Sequence, residues 1–256
     1  MKLLDTTGGN TKLAKNNLNL ALRVAGLSML PHKSGCPFMD IAGCGESCLQ
    51  FSGRGVFSNV HNSRQAKLDY FLNNRSEFIS QLVRELKNFV KYCTKNNLKP
   101  YARLNVLQDV PWETKAYGRI PQQFPEIEFY DYTKVASRLG NTPDNYKLMF
   151  SYSPAKSFRK YVQAALESGV PISAVFHGTM PDYFLGRKVF DGDKSDIDNL
   201  TREGGIIGLK YKLAKGQAVS VADSKFIVST LDFRRKLEAM QSNYPLNWSD
   251  HRPACK

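Results

Sequence analysis

Apolar residues at Phe78, Ile79, Leu82, Val83, Leu86, Phe89, Val90 and Cys93 recur at spacings of three and four, which predicts a helix with one wide buried face. Ser76 reads as its N-cap, and Asn96-Asn97 with Pro100 as its stop. Val60–Asn73 also carries helical spacing, interrupted at Asn73-Asn74. Beyond residue 100 the pattern changes to short apolar runs. Tyr101–Leu107, Ile127–Thr133, Lys147–Ser153 and Pro171–Phe176 read as strands, with Gly205–Lys210 and Ala218–Val221 as later candidates. Helical stretches are expected between them: a short one in Trp112–Phe124, another over Lys134–Leu139, and one from Ser153-Pro154 through Leu166 to Gly169. A last helix is expected over Asp232–Ser242. At the other end, residues 1–17 form a polar arm with a turn at Gly8-Gly9-Asn10, and Leu18–Leu30 is a buried strand or a short helix that ends at Pro31.

Strands alternating with helices every ~20–25 residues imply βαβ units and a parallel sheet. Both a doubly wound sheet and a barrel meet that description. The expectation is an α/β fold, a partial or full (β/α) barrel of TIM-barrel-like form with mostly parallel strands, spanning residues 18–221. Residues 222–256 pack on the same domain as a helix and tail. Several strands end in polar residues: Gln108-Asp109, Tyr132-Thr133, Ser151 and Ser153, and His177. In a barrel such residues gather at the carboxyl-terminal face, where the chemistry is done.

The charge of +13, from 36 basic and 23 acidic residues, makes nucleic acid a candidate partner, although no dense Lys/Arg run or stacking motif accompanies it. Apolar runs are too short for a transmembrane helix, so no membrane partner is expected, and the amino terminus lacks a secretory h-region. Five cysteines, an odd number, speak against a disulfide framework and for a reducing cytoplasm.

Three of those cysteines fall within a glycine-rich stretch from Gly35 to Gly55, spaced Cys36-x7-Cys44-x3-Cys48. Thiolates select zinc, copper(I) or iron–sulfur clusters, and glycine lets a backbone wrap tightly around an inorganic core. If the first strand precedes Pro31, this loop is the first βα loop and opens on the polar face. Three thiols suit a [4Fe-4S] cluster with one iron left open. His32, His61, His177 and Cys255 are the candidate fourth ligands, and His32 with the three cysteines is the rival Cys3His zinc set. Cys93 lies on a helix face and reads as core.

Asp109, after a strand, is a candidate for holding a ligand or moving a proton, or else a turn-capping aspartate before Val110-Pro111. Asp191, Asp193 and Asp196 could meet a hard cation, but the EF-hand spacing is absent and a solvated turn with a helix N-cap is the ordinary reading. Tyr130, Tyr132 and Tyr152 could stack on a ligand or simply pack in strands.

The order of these features resembles the bacteriophage family named gene product 88. The likeness runs from Asn10-Thr11-Lys12-Leu13 and Ser28-Met29-Leu30-Pro31 through Cys36-Pro37, Cys44 and Cys48. It continues through Arg103 and Asp109, Phe129-Tyr130, Tyr132-Thr133-Lys134, and Asp191-Gly192-Asp193-Lys194-Ser195-Asp196 to Ile207-Gly208-Leu209-Lys210. Gln108 and Leu49 stand where that pattern has a glycine and an aromatic. The resemblance implies an iron–sulfur protein similar at a distance to radical SAM enzymes, with a [4Fe-4S] cluster on Cys36, Cys44 and Cys48. It also implies S-adenosylmethionine as a candidate cofactor. In the enzyme version, a radical-SAM-like or redox reaction at the open iron, Asp109 and Lys134 stand beside the cluster as the candidate catalytic residues. Those enzymes space their cysteines C-x3-C-x2-C, unlike this chain. The alternative is a non-enzymatic protein in which iron–sulfur or zinc orders a basic surface for nucleic acid or a host protein.

Overall fold

A computed structural model describes residues 1–6, 17, 21–45, 47–51, 53–212 and 224–230, the Arg54 side chain excepted. The strand candidate Ala218–Val221, the helix Asp232–Ser242 and Cys255 lie outside the described residues.

The sheet grows in chain order from β2 (Leu22–Leu27) through β3 (Lys99–Arg103), β4 (Glu128–Thr133) and β5 (Tyr146–Ser151) to β6 (Ile172–His177), every pair parallel. The order then steps over. β9 (Ile206–Lys210) lies beside β6, and β8 (Arg187–Asp191) lies outside β9, both parallel. Antiparallel strands close each end: β1 (Leu4–Asp5) on β2, and β7 (Tyr183–Phe184) on β8. The α/β class and the mostly parallel sheet of ten strands agree with expectation. The full barrel does not: among the described residues the sheet is open, because its two end strands meet only their inner neighbours.

Helices cover one face. α1 (Ser58–Asn73) and α2 (Arg75–Lys95) pack on β2 to β5. Phe78, Leu82, Leu86, Phe89 and Cys93 of α2 are all buried in that core, as their spacing foretold. Full burial of each such Leu or Phe contributes about 1.5–3 kcal/mol. The helix starts two residues earlier than Ser76 suggests, with Asn74 as its cap residue. A second cluster joins α4 (Arg159–Ser168) to β5, β6 and β9. The opposite face carries a smaller core of Val24, Tyr130, Met149 and Ile207, against which Ile197 and Leu200 pack from the short helix α5 (Asp196–Asn199). The expected helices over Trp112–Phe124 and Lys134–Leu139 shrink to α3 (Ile120–Gln123) and a single 3-10 turn, Ala136–Arg138.

The first residues, placed by sequence in a polar arm, instead build an edge strand. Leu3 and Leu4 are buried, and both of their amides donate to the Glu85 carboxylate at 2.8–3.0 Å while Lys67 donates to the Leu3 carbonyl. Glu85→Ala strands two amides at that edge and is expected to cost about 1–3 kcal/mol. Urea denaturation measures the loss, and faster hydrogen exchange at Leu3 and Leu4 locates it; unchanged exchange there would contradict this role.

β5 and β6 pair only at Phe150–Ile172 and Ser151–Ser173. Farther along, Phe176 and His177 of β6 pair with β10 (Val228–Ser229) instead. The carboxyl ends of β5 and β6 therefore part, and the 224–230 segment enters between them.

Candidate functional site

That parting, at the carboxyl ends of the strands, is where ligand crevices form in parallel sheets. A cavity of about 230 Å³ opens there, lined by Cys36, Cys44 and Cys48 together with Asp109 and Lys134. The three loop cysteines, Asp109 and Lys134 thus share one cavity.

The loop that follows β2 is a chain of tight turns. The amides of Gly35 and Cys36 both donate to the His32 carbonyl, Met39 to Cys36, Ala42 to Phe38 and Cys44 to Met39. It is pinned to the strand ends from three sides. Phe38 packs edge-on against Tyr161 and Phe158, Ser153 donates to the Ala42 carbonyl at 2.7 Å, and the Asp109 amide donates to the Gly35 carbonyl. The Lys225 carbonyl lies 3.0 Å from the same hydroxyl and shares its one proton, so Ser153 sits between the cysteine loop and the inserted segment. Gly43 has φ +62°, and a Cβ there would lie 2.5 Å from the Lys225 Cβ; only glycine satisfies both.

The thiols are half-buried and close enough to feel one another. Burial pushes Cys36 up to about 12, with Asp109, Cys48 and Cys44 adding to the rise. Burial pushes Cys48 up to about 11, opposed by the Gln50 backbone and assisted by Cys44. Cys44 is raised by burial and opposed chiefly by Lys134. A bound metal reverses this tendency by taking the thiolate as its ligand. Among the described residues no group of three His, Cys, Asp or Glu side chains is arranged, as it stands, to hold a metal ion. Among the described residues no histidine lines the cavity either: His32 and His61 are exposed, and His177 packs edge-on against Tyr211.

Lys134 leaves the end of β4 and turns its ammonium into the floor. It donates to the Ser151 carbonyl at 3.1 Å and hydroxyl at 3.0 Å, with the Phe226 ring centroid at 4.4 Å. Burial lowers Lys134 to about 8, although Cys44 and Asp109 pull the other way. Asp109 fixes this turn. One carboxylate oxygen accepts from the Lys134 amide at 2.7 Å and the Thr133 hydroxyl at 3.1 Å, and the other from Arg138. Its pKa is raised by burial against the pull of Arg138. With its oxygens so engaged, Asp109 positions Lys134.

Sequence reasoning placed a strand through Leu107, but β3 ends at Arg103 because Asn105 turns inward. Its carboxamide accepts from the Val110 amide and the Trp112 indole, and donates to the Val110 carbonyl and Asp131. The bend this creates delivers Gln108 and Asp109 to the cavity.

Asp131, beneath, also accepts from the Tyr146 hydroxyl at 2.8 Å and is pushed by burial from 3.8 to about 7. A carboxyl raised on folding holds its proton better in the native state, so its contribution is full below pH ~4 and is lost as pH climbs through ~7. Stability is therefore expected to fall between those values. The fall is expected to be shallower in Asp131→Asn when both are unfolded in urea across that range; parallel slopes would contradict the assignment.

The three aspartates of the Asp191–Asp196 stretch do not converge as a cation site. Asp196 accepts from Arg103 at 3.0 Å and Tyr132 at 2.8 Å, deeply buried rather than solvated. Asp193 accepts from Lys212 and the Lys210 amide, and Asp191 from the Asp193 amide. Ser195 is the N-cap of α5, accepting from the Asp198 amide. Tyr132 lines the cavity, Tyr130 sits in the inner core, and Tyr152 packs edge-on against Phe184. Sequence reasoning missed the Arg138–Glu113 pair, the Ser151–Ser173 floor and Phe226.

Fold and site together define an α/β protein with a cysteine-lined cavity at the carboxyl ends of an open, mostly parallel sheet. The family model described as Gene product 88 matches residues 1–229, and the chain belongs to that family of phage gene products. Comparison with curated proteins and with solved structures gives no match. No helix among the described residues is long and apolar enough to cross a membrane.

Proposed function

We propose that this phage protein is an iron–sulfur protein whose [4Fe-4S] cluster is held by Cys36, Cys44 and Cys48, and that the adjoining cavity takes the cluster's small-molecule partner. The observation that carries the proposal is the convergence of three half-buried, mutually interacting thiols on one cavity beside the Lys134 ammonium. The donor chemistry fits: three soft ligands, and in Lys134 a positive charge to balance thiolates. Loading would involve closure of the loop about the cluster. The chain-order run from β2 to β6 supports a partial (β/α) barrel as the scaffold, and a reducing host cytoplasm suits the thiols.

When bound, a cluster with three protein thiolates supplies one-electron transfer and an iron open to a ligand. The chain's own residues supply the rest. Asp109 locks the Lys134 backbone, Ser151 aims its ammonium, and the apolar wall around Phe226 and Leu209 excludes water. S-adenosylmethionine is one candidate partner, which makes the activity radical-SAM-like; a simpler redox reaction is the other form.

A second reading has support in the charge of +13: a non-enzymatic protein in which iron–sulfur or zinc orders a basic surface for nucleic acid or a host protein. Anaerobic purification separates the two. The enzyme reading expects a brown protein that bleaches with dithionite and forms 5′-deoxyadenosine or another redox product on adding S-adenosylmethionine. A protein with no such product but with salt-dependent nucleic-acid binding favours the second reading.

A further inference from the structure

We infer that the cavity recognises a small organic monocarboxylate, its anionic end held by Lys134 over the Ser151–Ser173 floor and its apolar body against Phe226, Val175 and Leu209. The inference rests on the reading of this cavity as the functional site, and does not require the cluster.

The acidic groups near the cavity already have strong partners. Asp109 is bound by Arg138, Asp193 by Lys212, and Asp196 by Arg103. Lys134 differs. Its hydrogen bonds go to two neutral oxygens of Ser151, and among the described residues no carboxylate lies within ion-pair distance of its nitrogen. A buried ammonium held only by neutral oxygens and an aromatic face is under-compensated, and an ammonium carries three donors, of which Ser151 takes two. The third is available to a ligand oxygen.

Beside it, Ser151 and Ser173 stand in register on adjacent parallel strands, and both line the cavity. Ser173 spends its proton on the Phe150 carbonyl, whereas the Ser151 hydroxyl accepts from Lys134 and keeps its proton to donate to a carboxylate oxygen. Lys210 and Lys212 stand at the rim and favour entry of an anion. One floor ammonium matches one negative charge; a dianionic phosphate asks for a cluster of arginines or a nest of amides. Most of the remaining wall is apolar, which selects a ligand with a hydrocarbon or aromatic body.

Ligand-observed NMR on the anaerobically purified full chain tests this, with phenylacetate and isovalerate as probes against phenylacetamide and isovaleramide. The acids are expected to bind at least about tenfold more tightly than the amides, the worth of one charge-assisted hydrogen bond. The preference is expected to vanish in Lys134→Met and to survive in Lys134→Arg. Acid and amide binding alike, failure of both acids to bind, or a preference retained in Lys134→Met would overturn the inference. The acid–amide comparison on the unaltered chain stands even if the Met variant misfolds. Iron analysis of the same sample separates the two proposals. Iron-free protein that keeps the preference overturns the cluster alone, and iron-loaded protein without it overturns the carboxylate site alone.

Discussion

Arg138→Met is expected to be the most damaging single change in the fold. The Arg138 guanidinium meets Glu113 through two bonds, at 2.8 and 3.0 Å, reaches Asp109 with another nitrogen, and donates to the Tyr146 hydroxyl. Arg138, Asp109 and Glu113 are all buried. Removing the cation leaves two carboxylates uncompensated in a dry interior, a loss of about 3–5 kcal/mol. That is a large share of the ~5–15 kcal/mol that holds a typical domain together. Thermal unfolding is expected to shift down by about 6–20 °C for a chain of this size. Arg138→Lys keeps the charge but not the planar fork and is expected to fall between. A melting temperature within ~2 °C of the unaltered protein would contradict this account.

Cys44→Ser is expected to abolish the metal site while sparing the fold. Of the three thiols Cys44 interacts most strongly with the Lys134 ammonium, so its loss removes one of the three proposed ligands and the one most strongly coupled to that charge. Metal affinity is expected to fall by more than about a hundredfold, beyond what loss of a supporting group alone does. Cys93→Ala is the control. Cys93 is fully buried in the α2 core, and its replacement is expected to lower stability modestly and leave metal content unchanged. Equal metal loss in both variants, or none in Cys44→Ser, would show that the loop thiols are not the ligands.

Much of this was legible in the sequence because it is local. The apolar spacing of α2, the strand runs and the placement of a glycine-rich cysteine loop after the first parallel strand all follow from near neighbours. Strand polarity put Asp109 and the cysteine loop at one end of the sheet, whereas Lys134 was singled out only through the family resemblance; all five line the cavity. What escaped depends on partners far apart in the chain. Asp196 looks like a solvated turn residue until Arg103, 93 positions away, is brought to it across the sheet. β3 stops at Arg103 because the Asn105 side chain competes with the ladder, which an apolar pattern does not register. That the sheet stays open also escaped. It depends on β8 and β9 exchanging places and on short edge strands, and neither has a strong signature of its own.

The central claim is that the loop thiols bind a [4Fe-4S] cluster. Its most direct test is the iron, acid-labile sulfide and zinc content of the anaerobically purified chain. The account predicts about four irons and about four sulfides per chain, with negligible zinc. A colourless protein carrying stoichiometric zinc and no sulfide would contradict it.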